Sequence, residues 1–434
     1  MIARNLHRLK VEKTSASVTS FAGIPLLTEL AHSTGTIKRL DAIGGLWRRK
    51  SEYRTSDYII GLAMTLAAGG ETLDDTRLLR GDAALCSLAL PDLPCANTIG
   101  EFLRRFDNRS LYRFSEVVTV QGLCNMAPGQ DLTLDIDSTI IESDKAAAKM
   151  TYKGVKGYNP ILAWLAGPDI FMGGVFRDGN ASPQTHILPL LKYCRKRLPA
   201  GTRFKFRSDS AGYKISVMKY CHDEAIPFTI SADINEAVRE TIDSIPEKDW
   251  RLVIRGEDTF LLAETVYAPD NSKTWLVNNL PSFRLIVTKK LGQLELFGDP
   301  LKRRAIITNL PPEWATESVL DFHNDRGNAE KAIGELKNGY GLNKLPCSEL
   351  KANAAYFQTA LLAYNLVATL KNRALPGGWK SFGIKNLRFR LICQAAVVAR
   401  HARRVVIKLG ETYPFFDVFE QARWAVLNPA LSCG

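Results

Sequence analysis

The segment Leu132–Ile141 (LTLDIDSTII) decides the fold that we expect for this chain. Its apolar and β-branched residues are typical of a β-strand, along which side chains alternate with a period of two. Asp135 and Asp137 are therefore expected on one face of an otherwise apolar strand. A carboxylate in such a place is costly unless it binds a cation or a hydrogen-bond donor. The segment thus predicts a buried strand that ends in acids with a function.

The segments that follow alternate between strands and helices. Three neighbouring strands and then strand–helix–strand alternation indicate an α/β fold, with a mixed sheet flanked by helices. The predicted strands are 160–165, 170–176, 204–209 and 227–231, and the predicted helices are 185–197 and 215–225.

The charge balance indicates a polyanionic partner. Lys and Arg number 57 against 45 Asp and Glu, a net charge of +12. Nucleic acid is the commonest partner of such chains, although a basic but otherwise ordinary enzyme is the alternative at this level. The chain has no GxxxxGK[ST] motif, no HExxH motif and no CxxC pair, so neither a nucleotide cofactor nor a zinc site is indicated.

Basic residues concentrate in two regions. Residues 350–410 contain no Asp or Glu, and Arg400, Arg404 and Lys408 would line one row of a helix at four-residue spacing. We expect these three residues and Arg403 to contact DNA phosphates. Arg104 and Arg105 in the N-terminal region are further expected DNA contacts, and a solvated helix face is the alternative for them. The residues of these two regions that we expect to contact DNA are Arg104, Arg105, Arg400, Arg403, Arg404 and Lys408.

Changes in the sequence pattern along the chain suggest five structural units. Residues before 125 are mostly helical, those of 236–310 form short strands between turn signals, and helices resume after about 311. The units are a helical DNA-binding domain (1–125), the first part of the core (126–235), a β-strand insertion (236–310), a core helix with an acid (311–345) and a basic helical C-terminal region (346–434).

A second acid, Asp209, ends the apolar strand predicted at 204–209 and precedes a turn. Open sheets place their binding sites at strand ends, so Asp137 and Asp209 together suggest a metal site. Taken singly, each acid could equally cap a helix or form a turn.

A third group follows on a predicted helix. His323, Arg326, Glu330 and Lys337 fall within an arc of about 60° on one helical face. An acid between cations suits phosphoryl transfer, because metal ions need oxygen ligands and the polyanion needs positive charge. The alternative is a solvated helix with an ion pair between Arg326 and Glu330.

In combination, these segments resemble bacterial insertion-sequence transposases of the DDE class, and within it the cut-and-paste group numbered thirteen-eighty. That group carries a Tyr-Arg-Glu-Lys signature. The matching segments are 134–139 (LDIDST), 207–212 (RSDSAG) and Arg326, Glu330 and Lys337, with further likeness at 157–163 and 335–337.

The resemblance implies a ribonuclease-H-like catalytic core in which Asp137, Asp209 and Glu330 are catalytic and ligate two Mg²⁺ or Mn²⁺ ions. There are 72 residues from Asp137 to Asp209 and 121 from Asp209 to Glu330, which leaves room for a β insertion. Asp135 competes for the role of first acid, and Asp137 is preferred because the family's Asp-x-Thr pattern fits Asp137-Ser-Thr139.

The resemblance also implies that Arg326 and Lys337 grip DNA phosphates. His323 stands where the signature has Tyr, and its imidazole is expected to donate a hydrogen bond to phosphate. Related enzymes stack an aromatic residue of the β insertion on a flipped base. The candidates are Trp250, Trp275 and Trp314, and the sequence does not choose among them.

The predicted function is therefore transposition. A homodimer would bind the terminal inverted repeats of an insertion sequence in double-stranded DNA, cut with the help of metal ions, and join the freed 3′-OH to target DNA. The alternatives are a ribonuclease-H-fold nuclease that cuts without joining and a DNA-binding protein without activity.

The chain is expected to be cytoplasmic in a bacterium and associated with the nucleoid when bound to DNA. Its N-terminus lacks the apolar run of a signal peptide. The most apolar long stretch, residues 354–370, is shorter than a membrane span and carries Gln358, Thr359 and Asn365. We therefore predict a buried core helix there.

Overall fold

The computed structural model describes residues 9–46, 51–124, 126, 131–256, 258–269, 280–290, 303–402 and 404–428. Its strands are β1 (Val18–Thr19), β2 (Leu132–Ser138), β3 (Ile141–Glu142), β4 (Lys149–Met150), β5 (Lys156–Tyr158), β6 (Ile161–Ala166), β7 (Ile170–Val175), β8 (Phe204–Ser208), β9 (Phe228–Ala232), β10 (Arg251–Arg255), β11 (Asp258–Tyr267), β12 (Phe283–Lys290), β13 (Arg303–Thr308), β14 (Ala396–His401) and β15 (Arg404–Leu409).

The helices are α1 (Ile24–Ser33), α2 (Thr36–Asp41), α3 (Thr55–Ala68), α4 (Thr76–Arg80), α5 (Ala83–Leu88), α6 (Ala96–Leu103), α7 (Asn108–Leu123), α8 (Ile187–Arg197), α9 (Ile215–Asp223), α10 (Glu236–Asp243), α11 (Thr316–Asn324), α12 (Gly327–Gly339), α13 (Leu350–Ala374), α14 (Ile384–Leu387) and α15 (Phe416–Leu427).

One large mixed sheet organises the fold, in the strand order β10-β11-β12-β13-β9-β8-β2-β6-β7. Strand β2 is parallel to β8, and β8 is parallel to β9. Strand β2 is antiparallel to β6, which is antiparallel to β7. The prediction of an α/β fold with a mixed sheet is confirmed, and the apolar residues of β2 and β8 lie in its core.

The strands predicted between 236 and 310 extend this same sheet. Strand β13 pairs with β9 antiparallel, and β12, β11 and β10 follow outward. The predicted β-strand insertion is thus continuous with the central sheet and also contains the helix α10. The strand expected around Trp275 lies outside the described residues.

Helix α13 confirms the predicted buried core helix. Twenty of its residues are buried, and its neighbours include α7 and α3 from the N-terminal region and the edge strand β7. Asn365, which is fully buried, accepts a hydrogen bond from the Phe171 amide at 2.9 Å and donates to the carbonyls of Val118 and Phe171. A buried amide is tolerated here because each of these polar groups has a partner.

Within the described ranges, no helix combines the length and the apolar character needed to cross a membrane.

The two ends of the chain are joined in a small sheet. Strand β1 pairs with β14, and β14 pairs with β15 in an antiparallel hairpin. The predicted helical row of Arg400, Arg404 and Lys408 is therefore wrong. The β-branched runs at 397–398 and 405–407 favour strands, and Ala402 makes the turn with a φ of 48°. Arg404 and Lys408 share one face of the hairpin, whereas Arg400 lies opposite Val405 on the other face.

Candidate active site

The first two acids lie at the carboxyl ends of neighbouring parallel strands. Ile136 of β2 pairs with Ser208 of β8, so Asp137 and Asp209 follow at the same level of the sheet. Asp209 caps the short turn 210–212 by accepting a hydrogen bond from the Ala211 amide at 3.0 Å. The local apolar pattern that makes each segment a strand also brings both carboxylates to one edge.

At this edge of the sheet, burial and neighbouring charges shift the pKa values of Asp137 and Asp209. Burial and, to a smaller extent, the charge of Asp209 raise the pKa of Asp137 to about 6, although Arg326 acts against both. Burial also raises the pKa of Asp209, which Arg326 again opposes. A pair of partly buried carboxylates that resist ionisation is an environment that favours a bound cation.

Asp135 pairs with Arg207 and not with Arg326. Its side chain is 1% exposed, and both carboxylate oxygens accept hydrogen bonds from Arg207 at 2.8 Å. Asp135 and Arg207 stand directly opposite each other on β2 and β8. A bidentate arginine pair occupies both oxygens, which favours Asp137 over Asp135 as the first acid of the site.

The helix predicted from 323 to 337 is interrupted, so its four polar residues do not share one helical face. Helix α11 ends at Asn324 and α12 begins at Gly327. Arg326 lies in the joint, where its amide donates to the His323 carbonyl at 3.1 Å. The joint turns the Arg326 side chain toward the strand ends.

Arg326 is the centre of the site. Its guanidinium donates to Asp137 Oδ2 at 2.7 Å and to Glu330 Oε1 at 2.6 Å. Burial acts against the charge of Arg326, but Asp137, Glu330 and Asp209 outweigh it and raise the pKa of Arg326. Arg326 thus connects the first and third predicted acids, which are not in contact through any hydrogen bond of their own.

Lys337 reaches the same region from the last turn of α12. Its ammonium donates to the Ile140 carbonyl at 2.8 Å, two residues beyond the end of β2. Lys337 is half-buried, so the charge is held at the loop that follows the first acid. Contacts therefore link Asp137, Arg326 and Glu330, while Asp209 follows the neighbouring strand and Lys337 binds the loop after the first acid.

His323 does not join this group. It is 6% exposed, and its ring nitrogens contact the hydroxyls of Thr229 at 3.0 Å and Ser231 at 2.9 Å. The expectation that His323 donates to a DNA phosphate is corrected accordingly, because its ring is buried against β9. The break between α11 and α12 separates it from Arg326, which spacing on a continuous helix could not reveal.

The burial of His323 predicts a pH dependence of stability. Burial and the charge of Arg326 lower its pKa to about 3, whereas the unfolded chain binds the proton near pH 6.5. The contribution of His323 to the free energy of unfolding is therefore fully present above pH 6.5. It is lost as the pH falls, by up to about 1.4 kcal/mol per pH unit.

We therefore expect the wild type to lose part of its stability advantage over His323→Gln between about pH 6.5 and pH 4. The measurement is urea unfolding of both proteins across that range. A difference between the two proteins that stays constant with pH would contradict the neutral, buried state of His323.

One acid at this edge was missed in the sequence. Asp233 follows β9, the third of the parallel strands, and its charge contributes to the raised pKa of Asp209, for which burial is the largest cause. The signal was available, because Asp233 stands just beyond an apolar strand as Asp137 and Asp209 stand at the ends of theirs.

The donor set suits a hard divalent cation in charge and chemistry, because carboxylate oxygens are the ligands that Mg²⁺ and Mn²⁺ prefer. Asp137 and Asp209 fit that role. Glu330 is 56% exposed and turned to Arg326, and across the described part of the chain no three acids, histidines or cysteines are grouped closely enough to hold a metal ion. Arg326 supplies the neutralising charge in this arrangement.

The other residues expected to bind DNA are dispersed. Arg104 follows α6 and pairs with Glu349 at 3.1 Å. Arg105 also lies just beyond α6, and Arg403 is outside the described residues. Arg400, Arg404 and Lys408 are exposed on the β14–β15 hairpin. Among the contacts of the described residues, Arg104, Arg400, Arg404 and Lys408 make no hydrogen bond or ion pair with Asp137, Asp209 or Glu330.

Two of the three tryptophans considered for base stacking are half-buried. The ammonium of Lys289 lies 3.7 Å from the centre of the Trp250 ring, and Trp314 packs edge-on against Phe322. Trp275 lies outside the described residues.

Comparison with protein families gives a match over almost the whole length of the chain. The family model of the transposase DDE domain, group 1, matches residues 3–428. No curated protein sequence matches the chain. Among solved structures, the cryo-electron microscopy structure of the piggyBac transposase synaptic complex with hairpin DNA is similar at 13% identity and a TM-score of 0.44, covering 85% of this chain and 80% of that chain. So distant a likeness carries no information on individual residues.

Proposed function

Because the chain belongs to the family of group 1 transposase DDE domains, we propose that it binds the terminal inverted repeats of an insertion sequence, cuts the DNA there and joins the freed 3′-OH to target DNA. One observation carries the proposal: Asp137 and Asp209 meet at the ends of parallel strands, and Arg326 links Asp137 to Glu330.

We also propose that the core is ribonuclease-H-like and that the chain is a member of the group numbered thirteen-eighty. The directions and order of β7, β6, β2, β8 and β9 support the first of these. The match of Asp137-Ser-Thr139 and the Arg326, Glu330 and Lys337 spacing support the second.

Asp137, Asp209 and Glu330 would hold the divalent cations, two per site by the family pattern. Bound there, Mg²⁺ or Mn²⁺ would supply Lewis-acid chemistry, the stabilisation of negative charge on oxygen during phosphoryl transfer. A carboxylate ligand must be ionised, and Arg326 favours the ionised form of both aspartates.

The cations of the chain itself position the substrate. Arg326 donates to Asp137, and Lys337 donates to the Ile140 carbonyl in the loop that follows the first acid. Positive charge held at both places suits a phosphodiester that crosses the site, because catalysis of phosphoryl transfer depends on positioning and electrostatic stabilisation. The exposed cations of the β14–β15 hairpin would contact DNA farther from the cut.

The experiment is cleavage of a labelled duplex that bears the host element's terminal repeat, with Mg²⁺, Mn²⁺ or EDTA, by the wild type and Glu330→Ala. We expect cuts at the element boundary that require metal and are lost in the variant. A pre-cut end with a free 3′-OH separates the alternatives, since a transposase inserts it into a target plasmid and a nuclease does not. Binding without cleavage under every condition would favour a DNA-binding protein without activity.

A further inference from the structure

A hairpin beside the candidate active site presents an aromatic residue at its tip. The β4–β5 hairpin (residues 149–158) pairs Met150 with Lys156 across its two strands. Its turn is closed by hydrogen bonds from the Gly154 amide to the Thr151 carbonyl at 3.0 Å and from the Thr151 amide to the Val155 carbonyl at 2.8 Å. Gly154 has a φ of 76°, the left-handed conformation that ends a three-residue hairpin loop. Tyr152 is therefore held at the tip by the backbone.

Two large side chains of this hairpin contribute nothing to the core. Tyr152 is 61% exposed and Met150 is 57% exposed. A single exposed apolar residue is ordinary on a protein surface. Two of them two positions apart, on a tight hairpin with a defined turn, form a small protruding surface that needs a partner to be buried.

The charge of the same segment is uniformly positive. Residues 145–156 carry four lysines, at 145, 149, 153 and 156, and no acid. Lys149 is paired with Asp178 at 2.8 Å, and Lys156 donates to the Asp144 carbonyl at 3.4 Å. Lys153 lies beside Tyr152, with its ammonium 6.0 Å from the ring centre. Aromatic and basic side chains thus share the tip.

The β4–β5 hairpin is connected to the candidate active site through strand β3. Strand β3, which pairs with β5, begins directly after Ile140, and the Ile140 carbonyl accepts the hydrogen bond of Lys337. Burial lowers the pKa of Lys337, Glu142 opposes this, and the charge of Lys153 lowers it further. Lys153 is therefore within electrostatic range of a proposed phosphate-binding residue.

We propose that the β4–β5 hairpin enters a groove of the DNA duplex beside the phosphate that is cut, with Tyr152 and Met150 against sugars and base edges and Lys153 and Lys156 against phosphates. This rests on the proposed function. A two-stranded ribbon fits the major groove of B-DNA, and contacts of lysine with phosphate fix the position of a protein on the duplex. Residues 145–156 carry four lysines and no acid, and this charge favours duplex DNA as the partner of the hairpin.

The test measures binding of the full chain to a fluorescent duplex with the terminal repeat, in EDTA and at several salt concentrations. Tyr152→Ala is expected to weaken binding about tenfold, as loss of an aromatic contact with bases does, and Tyr152→Phe is expected to bind as the wild type. Lys153→Gln is expected to reduce the slope of log affinity against log salt by about one.

Two control variants remove an exposed aromatic side chain and an exposed lysine elsewhere. Trp424, on α15, is 69% exposed, and Lys248 is exposed just before β10, at the opposite edge of the large sheet from β7. Trp424→Ala and Lys248→Gln should bind as the wild type. If Tyr152→Ala and Lys153→Gln match these controls while the wild type binds and cuts, the hairpin proposal is overturned and the proposed function stands. If the wild type neither binds nor cuts this duplex, both proposals fall.

Discussion

Asp209→Asn is expected to abolish metal-dependent cleavage of end-bearing DNA, with a loss on the order of 10³-fold, or about 4 kcal/mol of transition-state stabilisation. The substitution keeps the shape of the side chain and its acceptor for the Ala211 amide, so the turn that follows β8 should survive. What it removes is one negative charge at the strand ends, where divalent cations need anionic oxygen ligands.

Binding of the same DNA should not weaken in Asp209→Asn, because removal of a negative charge reduces repulsion of the phosphate backbone. The measurement is cleavage and binding of one labelled duplex by wild type and variant. Asp223→Asn is the matched control, since Asp223 is exposed at the end of α9 and paired only locally with Lys219 among the described contacts. Undiminished cleavage by Asp209→Asn would remove Asp209 from the proposed site.

Arg207→Met is expected to destabilise the fold by about 3–5 kcal/mol, because it leaves Asp135 buried without its partner. Burial raises the pKa of Asp135 to about 6 even with Arg207 acting against it. Without Arg207 the carboxyl group must either stay charged in the core or take up a proton. The destabilisation should therefore shrink as the pH falls, since the neutral acid is less costly to bury.

The double variant Asp135→Leu/Arg207→Met should recover most of this loss, because replacing a buried ion pair by apolar residues is often close to neutral. Urea unfolding of the wild type, the single variant and the double variant measures both effects. The double variant also separates the two candidates for the first acid. Retained cleavage in a folded double variant supports Asp137, whereas a folded double variant without cleavage would assign the chemistry to Asp135.

The strands that carry the first two acids were predictable because their signal is local. In β2 (Leu132, Leu134, Ile136) and β8 (Phe204, Phe206) apolar residues recur at every second position up to the acid, and that pattern predicts a strand with one apolar face. The long helix α13 was predictable for the same reason, since its apolar stretch has helical length and ends near charged residues. Family resemblance then added the order in which the acids follow one another.

Other features depended on choices between patterns that are equally good locally. Arg400, Arg404 and Lys408 have helical spacing, but the β-branched residues around them form a hairpin whose first strand, β14, pairs with β1 from the other end of the chain. The helix expected over 323–337 breaks at Arg326, where the side chain turns to Asp137. In both cases a contact between residues far apart in the sequence decided between two possible local conformations.

By itself, the sequence determined the α/β class, the buried strands that end at Asp137 and Asp209, and a basic chain suited to DNA. The tertiary structure alone decided that Asp135 belongs to Arg207, that His323 is buried against β9, and that Arg326 links Asp137 to Glu330. The physical reason is that periodicity reports which face of an element is apolar, whereas the partner of a charge is set by strand pairing and helix packing between residues far apart in the chain.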